Sequence, residues 1–210
     1  MGHPAKAVDN SFLSPGIVSA DFGRATPRLI AALAGIVGSD GVLTEPEDLA
    51  AYDADGLTVT RVRPEAVVLP RSTDEVSGVV RLLHGARIPV VPRGAGTGLS
   101  GGAVPLAGGV VVALVRMRRI LGIDLENRTA TVEAGLVNDR LTKAADGFGL
   151  LFAPDPSSQR VCTIGGNIAE NASGPHCHKN GPTGRHVLAL TVVLPDGEIV
   201  RIGAESDGPG

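Results

Sequence analysis

The stretch Arg93–Gly102 reads RGAGTGLSGG, five glycines in ten positions, directly after the strand-like run Pro89 to Pro92. Glycine tolerates positive φ and carries no Cβ, so main-chain N–H groups in such a loop can converge on an anion without positive side chains. The same composition also makes a flexible turn, and the glycines alone leave both readings open. An ATP-binding loop must end in Gly-Lys-Ser/Thr to reach the terminal phosphates and magnesium. This loop contains no lysine. Gly96, Gly98 and Gly101 satisfy the G-x-G-x-x-G spacing of the Rossmann fold, but that fingerprint has to open a helix. Here Gly102, Pro105, Gly108 and Gly109 follow instead and lead into Val110 to Val115, a second strand-like run. The remaining phosphate reading is a loop between two strands that binds pyrophosphate by backbone amides alone, as in a different flavin-binding architecture.

Upstream, Val67 to Leu69 reads as a strand. Ser72 to Glu75 (STDE) is a capping box, whose hydroxyl and carboxylate can satisfy the first free amides of a helix. Val76, Val79, Val80 and Leu83 form the apolar stripe of that helix, and Val90-Val91 resumes as a strand. The result is a βαβ unit whose exit is the glycine loop. Further back, Thr26-Pro27 pairs a capping hydroxyl with proline at the first helical position, ahead of Leu29, Ile30, Leu33 and Val37. Gly38 ends that helix, and a short second one spans about Glu47 to Tyr52. Residues 1–25 lack periodicity and read as a mobile arm. Downstream, Ile120 to Leu125 and Thr129 to Glu133 form a hairpin, and a helix follows from Asn138 to about Gly147. Val187 to Leu194 and Glu198 to Ile202 form a second hairpin around Pro195-Asp196-Gly197.

Composition bounds the function. The 210 residues are 43 % hydrophobic, enough to bury a core, and a net charge of −3 without a basic run argues against nucleic acid or an anionic membrane surface as partner. No apolar run approaches the roughly 20 residues of a membrane helix, and MGHPAKAV has no apolar signal core, so the expectation is a cytoplasmic chain. Cys162 and Cys177 are too few for a disulfide framework and read as free thiols. Aromatic residues make up only 2 %, so a flavin ring would be held by backbone and aliphatic contacts rather than by stacking.

Two further stretches suit the same ligand. Ala153 to Gln159 (APDPSSQ) is a proline-stiffened loop with polar groups that can face a ligand or simply connect elements. Thr163 to Gly174 (TIGGNIAENASG) pairs the close-approach glycines Gly165-Gly166 with Asn167, Asn171 and Ser173, neutral groups suited to ribityl hydroxyls or a flavin edge. RGAGTGLSGG, PDPSSQ and TIGGNIAEN-x-SG followed by HC-x-K resemble, in order and spacing from about Leu49 onward, the FAD-linked oxidases of the vanillyl-alcohol oxidase (PCMH-type) fold. Within that fold they are most similar to the glycolate oxidase catalytic subunit and D-lactate dehydrogenase group.

The resemblance implies an α+β, PCMH-type FAD-binding domain over 61–210, with subdomains of about 61–115 and 116–210 and a helical segment over 26–60. It implies that Arg93, Gly94, Ala95, Gly96, Thr97, Gly98, Leu99 and Ser100 cradle the pyrophosphate. Pro154, Asp155, Ser157 and Ser158 would lie along the cofactor. Thr163, Ile164, Gly165, Gly166 and Asn167 would approach the ribityl and isoalloxazine portion, with Asn171, Ser173 and Gly174 completing that wall. Gly181 and Thr183 also match the family, whereas Asn180 and Pro182 depart from it, and Pro182 removes an amide donor. Some members attach FAD through a histidine in the first glycine loop; none lies there, so FAD is expected to be non-covalent.

In the complete family enzyme a 2-hydroxy acid passes its α-hydrogen to the flavin as hydride, a base takes the hydroxyl proton, and electrons go to an acceptor or iron–sulfur partner. No catalytic base is assigned here. His176, Cys177 and His178 fall short of a metal-ligand set, so no metal is expected. The family's substrate cap domain has no counterpart, and the chain reads as an N-terminal fragment with a truncated second subdomain. A non-catalytic remnant or one half of a split enzyme is the alternative.

Overall fold

The computed structural model describes residues 22–203. Most of the arm read over 1–25, and residues 204–210, lie outside them. Phe22 to Ala25 are tied down: Gly23 N donates to Arg87 O at 2.9 Å and Ala25 N to Glu65 Oε2 at 2.7 Å.

Helix α1 (Pro27–Val37) starts as its sequence dictates, with the Thr26 hydroxyl accepting from Leu29 N and proline at the first position. Strand β1 (Val42–Leu43), helix α2 (Pro46–Leu49) with its 3₁₀ extension Ala50–Tyr52, and strand β2 (Ala66–Val68) follow. Helix α3 (Thr73–Gly85) is capped by Ser72, whose Oγ accepts from Glu75 N at 3.1 Å. The Glu75 carboxylate does not close the expected box; it accepts from Arg71 N, one residue further back. Strands β3 (Val90–Arg93) and β4 (Val110–Ala113) complete a sheet of order β1-β2-β4-β3, with β1 antiparallel and the other three parallel. The βαβ unit is therefore present but its strands are not neighbours, because β4 lies between β2 and β3.

A parallel sheet needs cover on both faces, and the strand period of two supplies it. Ala66, Val68, Val110 and Val112 face α1 and α3, packing on Leu29, Leu33, Val37, Val79 and Leu83. Val67, Val111 and Ala113 turn the other way onto Leu49, with Tyr52 and Leu69 at the margin. Each fully buried leucine or valine here contributes about 1.5–3 kcal/mol. Residues 26–60 thus supply a strand as well as helices, and they belong to the same core as the sheet.

Beyond Arg116 the chain forms the hairpin β5 (Ile120–Asp124) and β6 (Thr129–Val132), helix α4 (Asn138–Asp146), the short helices α5 (Ile164–Ala169) and α6 (Cys177–Asn180), and the hairpin β7 (Ala189–Val193) and β8 (Ile199–Gly203). Leu136, Leu141 and Ile164 form a smaller core with Ile120, Val132 and Phe152 around them. The β7–β8 turn is pinned to α3 by Ser77 Oγ, which donates to Gly197 O at 2.5 Å. No helix among the described residues is long and apolar enough to cross a membrane.

The base of the β5–β6 hairpin is closed by an ion pair. Buried Glu133 Oε1 accepts from Arg119 Nε and Nη2 at 3.0 and 2.8 Å, and its Oε2 accepts from Arg119 N at 2.7 Å. The hydrogen bond from the Arg119 guanidinium is the main reason the Glu133 carboxyl is held below its ordinary range. A carboxylate depressed in the folded state stabilises fully above its unfolded value, about pH 4.3, and that share is lost as pH falls through the folded value. Glu133→Gln should lower the thermal midpoint at pH 7 by on the order of 3 °C and make the melting curve less sensitive to pH between about 5 and 3. Differential scanning calorimetry across that range checks both effects.

Candidate functional site

The glycine loop leaves β3 at its C-terminal end and runs to β4 without any helix. Its amides are the central observation. Among the described residues, the backbone N–H groups of Ala95, Gly96, Thr97, Gly98, Leu99 and Ser100 donate to no protein acceptor, although Ala95 to Gly98 are half-buried. Six consecutive donors without a protein partner, four of them in half-buried residues, leave the loop able to bind an acceptor from outside the protein. Gly96 has φ +71°, the left-handed conformation from which neighbouring amides converge into an anion nest.

Arg93 supports the loop through its side chain. It is 7 % exposed, and its guanidinium points under the loop instead of out of it. Nη1 donates to Ala54 O at 2.8 Å and to Ala103 O at 3.1 Å, Nη2 donates to Ala51 O at 3.4 Å, and the group lies 5.5 Å from the Tyr52 ring centroid. A Cβ on Gly96 would overlap the guanidinium, so the loop is wrapped directly over the cation. Burial pushes Arg93 down from its ordinary value, but arginine stays protonated in proteins and leaves a fixed positive charge beneath the free amides. A second support is Asp55, also buried: its Oδ2 accepts from Gly101 N at 2.8 Å and its Oδ1 from Leu57 N at 3.0 Å. Gly56 N donates to Gly98 O at 2.9 Å. The sequence reading missed these residues, although Asp55-Gly56 is a turn signal.

The second glycine stretch is not a loop throughout. Thr163 caps helix α5, with Oγ1 accepting from Gly166 N, and Gly165 N donates to Ala134 O at 2.8 Å. Packing density explains the helix: a side chain at Gly165 would meet Ala134 at 2.8 Å, so its glycines serve close packing as well as flexibility. This helix touches the first loop twice. A Cβ on Gly94 would overlap Thr163 Oγ1, and Ser100 Oγ donates to Glu170 Oε2 at 2.6 Å just past the end of α5. Asn167 is committed to the protein, its Nδ2 donating to Asn138 Oδ1 at 2.9 Å while Asn138 Nδ2 donates to Pro154 O at 3.2 Å. Both asparagines are buried, and the amide chain ties α5 to α4 and to the APDPSSQ loop.

The remaining residues extend this arrangement. Asp155 Oδ2 lies 2.5 Å from His176 Nδ1, and Gly174 packs against the Asp155 main chain. Asn171, at φ +48°, accepts from Gly184 N at 2.9 Å through Oδ1. Thr183 is buried and bonds Ala172 O through both its N and Oγ1, and buried Gly181 turns the chain at φ +83°. Leu99, Ser157 and Ser173 are exposed, and the side chain of Ser158 has no hydrogen bond to the other site residues. Among the described residues no group of three His, Cys, Asp or Glu is placed to hold a metal.

A row of unpaired amides over a buried cation, braced by a second glycine-rich segment, thus lies in a loop between two strands. Residues 64–203 match the family model described as FAD binding domain, and the chain belongs to that family. It is 45 % identical over 170 residues to the glycolate oxidase subunit GlcD of Escherichia coli, covering 80 % of this chain and 34 % of that protein. It is 47 % identical over 144 residues to the D-lactate dehydrogenase of Anaerostipes hadrus, covering 69 % and 30 %. Among solved structures, p-cresol methylhydroxylase with substrate bound superposes with a TM-score of 0.72 at 25 % identity, over 82 % of this chain and 34 % of that one. Alkyldihydroxyacetonephosphate synthase shares the fold at a TM-score of 0.77 and 22 % identity, over 94 % and 38 %. The chain spans about a third of the length of these curated relatives.

The free amides and the fixed charge fit the pyrophosphate of FAD. Gly94→Ala forces the loop and Thr163 apart and should cost about 2 kcal/mol of stability together with most of the FAD affinity. Gly35→Ala, at an exposed position in α1 with nothing within 4 Å, should instead stabilise by about 0.5–1 kcal/mol and leave FAD affinity unchanged. Thermal melts and flavin fluorescence titrations of both variants check the contrast.

Proposed function

We propose that this chain is the FAD-binding portion of an FAD-dependent oxidoreductase that oxidises a 2-hydroxy acid of the glycolate or D-lactate type. The observation that carries the reading is the row of free amides from Ala95 to Ser100 above the buried Arg93 guanidinium. The relatives named as glycolate oxidase subunit and D-lactate dehydrogenase support the substrate class. When bound, FAD supplies the hydride acceptor for the substrate's α-hydrogen.

The residues divide by role. Amides of Gly94 to Ser100 hold the pyrophosphate, and Arg93 sets the shape and charge of the nest from below without touching the ligand. Pro154, Asp155, Ser157 and Ser158 run along the cofactor. Thr163 to Asn167 form the close wall on the ribityl and isoalloxazine side, continued by Asn171, Ser173 and Gly174 and braced by Gly181 and Thr183. No histidine lies in the glycine loop, so FAD is held non-covalently. No residue is assigned as catalytic base. The FAD-binding unit comprises two subdomains meeting near residue 115, with residues 26–60 packed into the first. A cytoplasmic location and an iron–sulfur or other electron-accepting partner complete the reading.

Visible absorption of the purified 210-residue protein, before and after acid precipitation, tests the reading. Flavin that co-purifies and is released by acid is the expected result, with D-lactate and glycolate then assayed against an artificial acceptor. A folded, colourless protein that cannot be loaded with FAD contradicts the flavoprotein reading.

A further inference from the structure

The glycine loop is electrostatically lopsided. In its first half Gly96 lies over the Arg93 guanidinium, and among the described residues no carboxylate is bonded to Gly94 to Thr97. Its second half, Gly98 to Gly102, is held between two acids. Asp55 binds Gly101 N from beneath, and Glu170 accepts from Ser100 Oγ at 2.6 Å from the α5 side. The Glu170 carboxylate follows the glycines closely: a Cβ on Gly102 would stand 3.2 Å from its Oε1, and one on Gly98 3.8 Å from the same atom. Glu170 is exposed and forms no ion pair among the described residues.

A phosphate charge about 5 Å from that carboxylate, at an effective dielectric near 20, would lose on the order of a hundredfold in affinity. That repulsion holds the phosphates toward the Arg93 side of the amide row, away from the Gly102 end. A ligand group that reaches Glu170 is favoured when it is neutral and donates a hydrogen bond. In a flavin dinucleotide the groups that flank the pyrophosphate and meet that requirement are sugar hydroxyls.

We propose that Glu170 is a specificity-determining residue that accepts a hydrogen bond from a sugar hydroxyl of the dinucleotide, its charge holding the pyrophosphate toward the Arg93 side of the loop. The hydroxyl comes either from the adenosine ribose or from the ribityl chain. This inference rests on the FAD reading above.

The test titrates the 210-residue protein and its Glu170→Gln variant with FAD, FMN and ADP, following flavin fluorescence or heat of binding. Replacing a charge-assisted hydrogen bond with a neutral one should weaken FAD by about tenfold. Because the side chain is exposed, the thermal midpoint without ligand should not move. Weakening shared by ADP but not FMN supports the ribose as donor, and weakening shared by FMN but not ADP supports the ribityl chain. A variant that binds FAD as tightly as the parent protein, or more tightly, overturns the proposal while leaving the FAD site intact. A parent protein that binds none of the three ligands overturns the FAD reading and this inference with it.

Discussion

A single buried cation organises the site. Among the described residues the Arg93 guanidinium forms no direct ion pair, and it is satisfied by the carbonyls of Ala51, Ala54 and Ala103 and by the Tyr52 ring, with the charges of Asp55 and Asp53 nearby. A buried charge costs several kcal/mol unless its donors are met, so these contacts fix where Ala51 to Ala54 and the end of the glycine loop can lie. The segment after α2 and the loop after β3, about 40 residues apart in sequence, are thereby fastened to one group. Gly96 can follow that contour only because it lacks a Cβ. The loop's amides then face outward, held in place and without partners, and a positive charge that cannot titrate away lies behind them.

The second constraint is steric. Gly94 against Thr163, Gly165 against Ala134 and Gly174 against Asp155 are places where one backbone rests on another segment with no room for a side chain. They close the site in sequence, from the glycine loop to α5 and on to the APDPSSQ loop. The Asn167–Asn138–Pro154 hydrogen bonds run through the same contacts and leave no buried side-chain polar atom unsatisfied among the described residues. The glycine-rich composition therefore does two jobs: the left-handed turn at Gly96 shapes the nest, and the remaining close approaches bring its walls together.

Much of this was legible in the sequence where the signal is local. The Thr26-Pro27 and Ser72 caps, the apolar stripe of α3, both hairpins and the absence of a helix after RGAGTGLSGG follow from capping chemistry, periodicity and turn residues. What was not legible depends on long-range partners. No local pattern says that β4 inserts between β2 and β3, since strand order is set by crossover packing. The helix Ile164–Ala169 was hidden by its own glycines, which disfavour a helix unless neighbours demand close packing. The resemblance placed Arg93 in the pyrophosphate cradle with the loop, and its partners Ala51, Ala54 and Ala103 were not legible because sequence does not give a side chain's direction. Asp55 sits in a turn dipeptide and Glu170 inside TIGGNIAENASG, but neither pattern names its partner; only the fold brings them to the loop from 46 and 70 residues away.

The account stands on the claim that the amides of Ala95 to Ser100 are the pyrophosphate ligands. Residue-resolved amide hydrogen exchange on the isotope-labelled protein, measured alone, with riboflavin and with FAD, tests it most directly. The account predicts fast exchange at these positions in the free protein, little change with riboflavin, which has no pyrophosphate, and marked slowing with FAD. Bound FAD that leaves exchange at Ala95 to Ser100 as fast as in the free protein would contradict it.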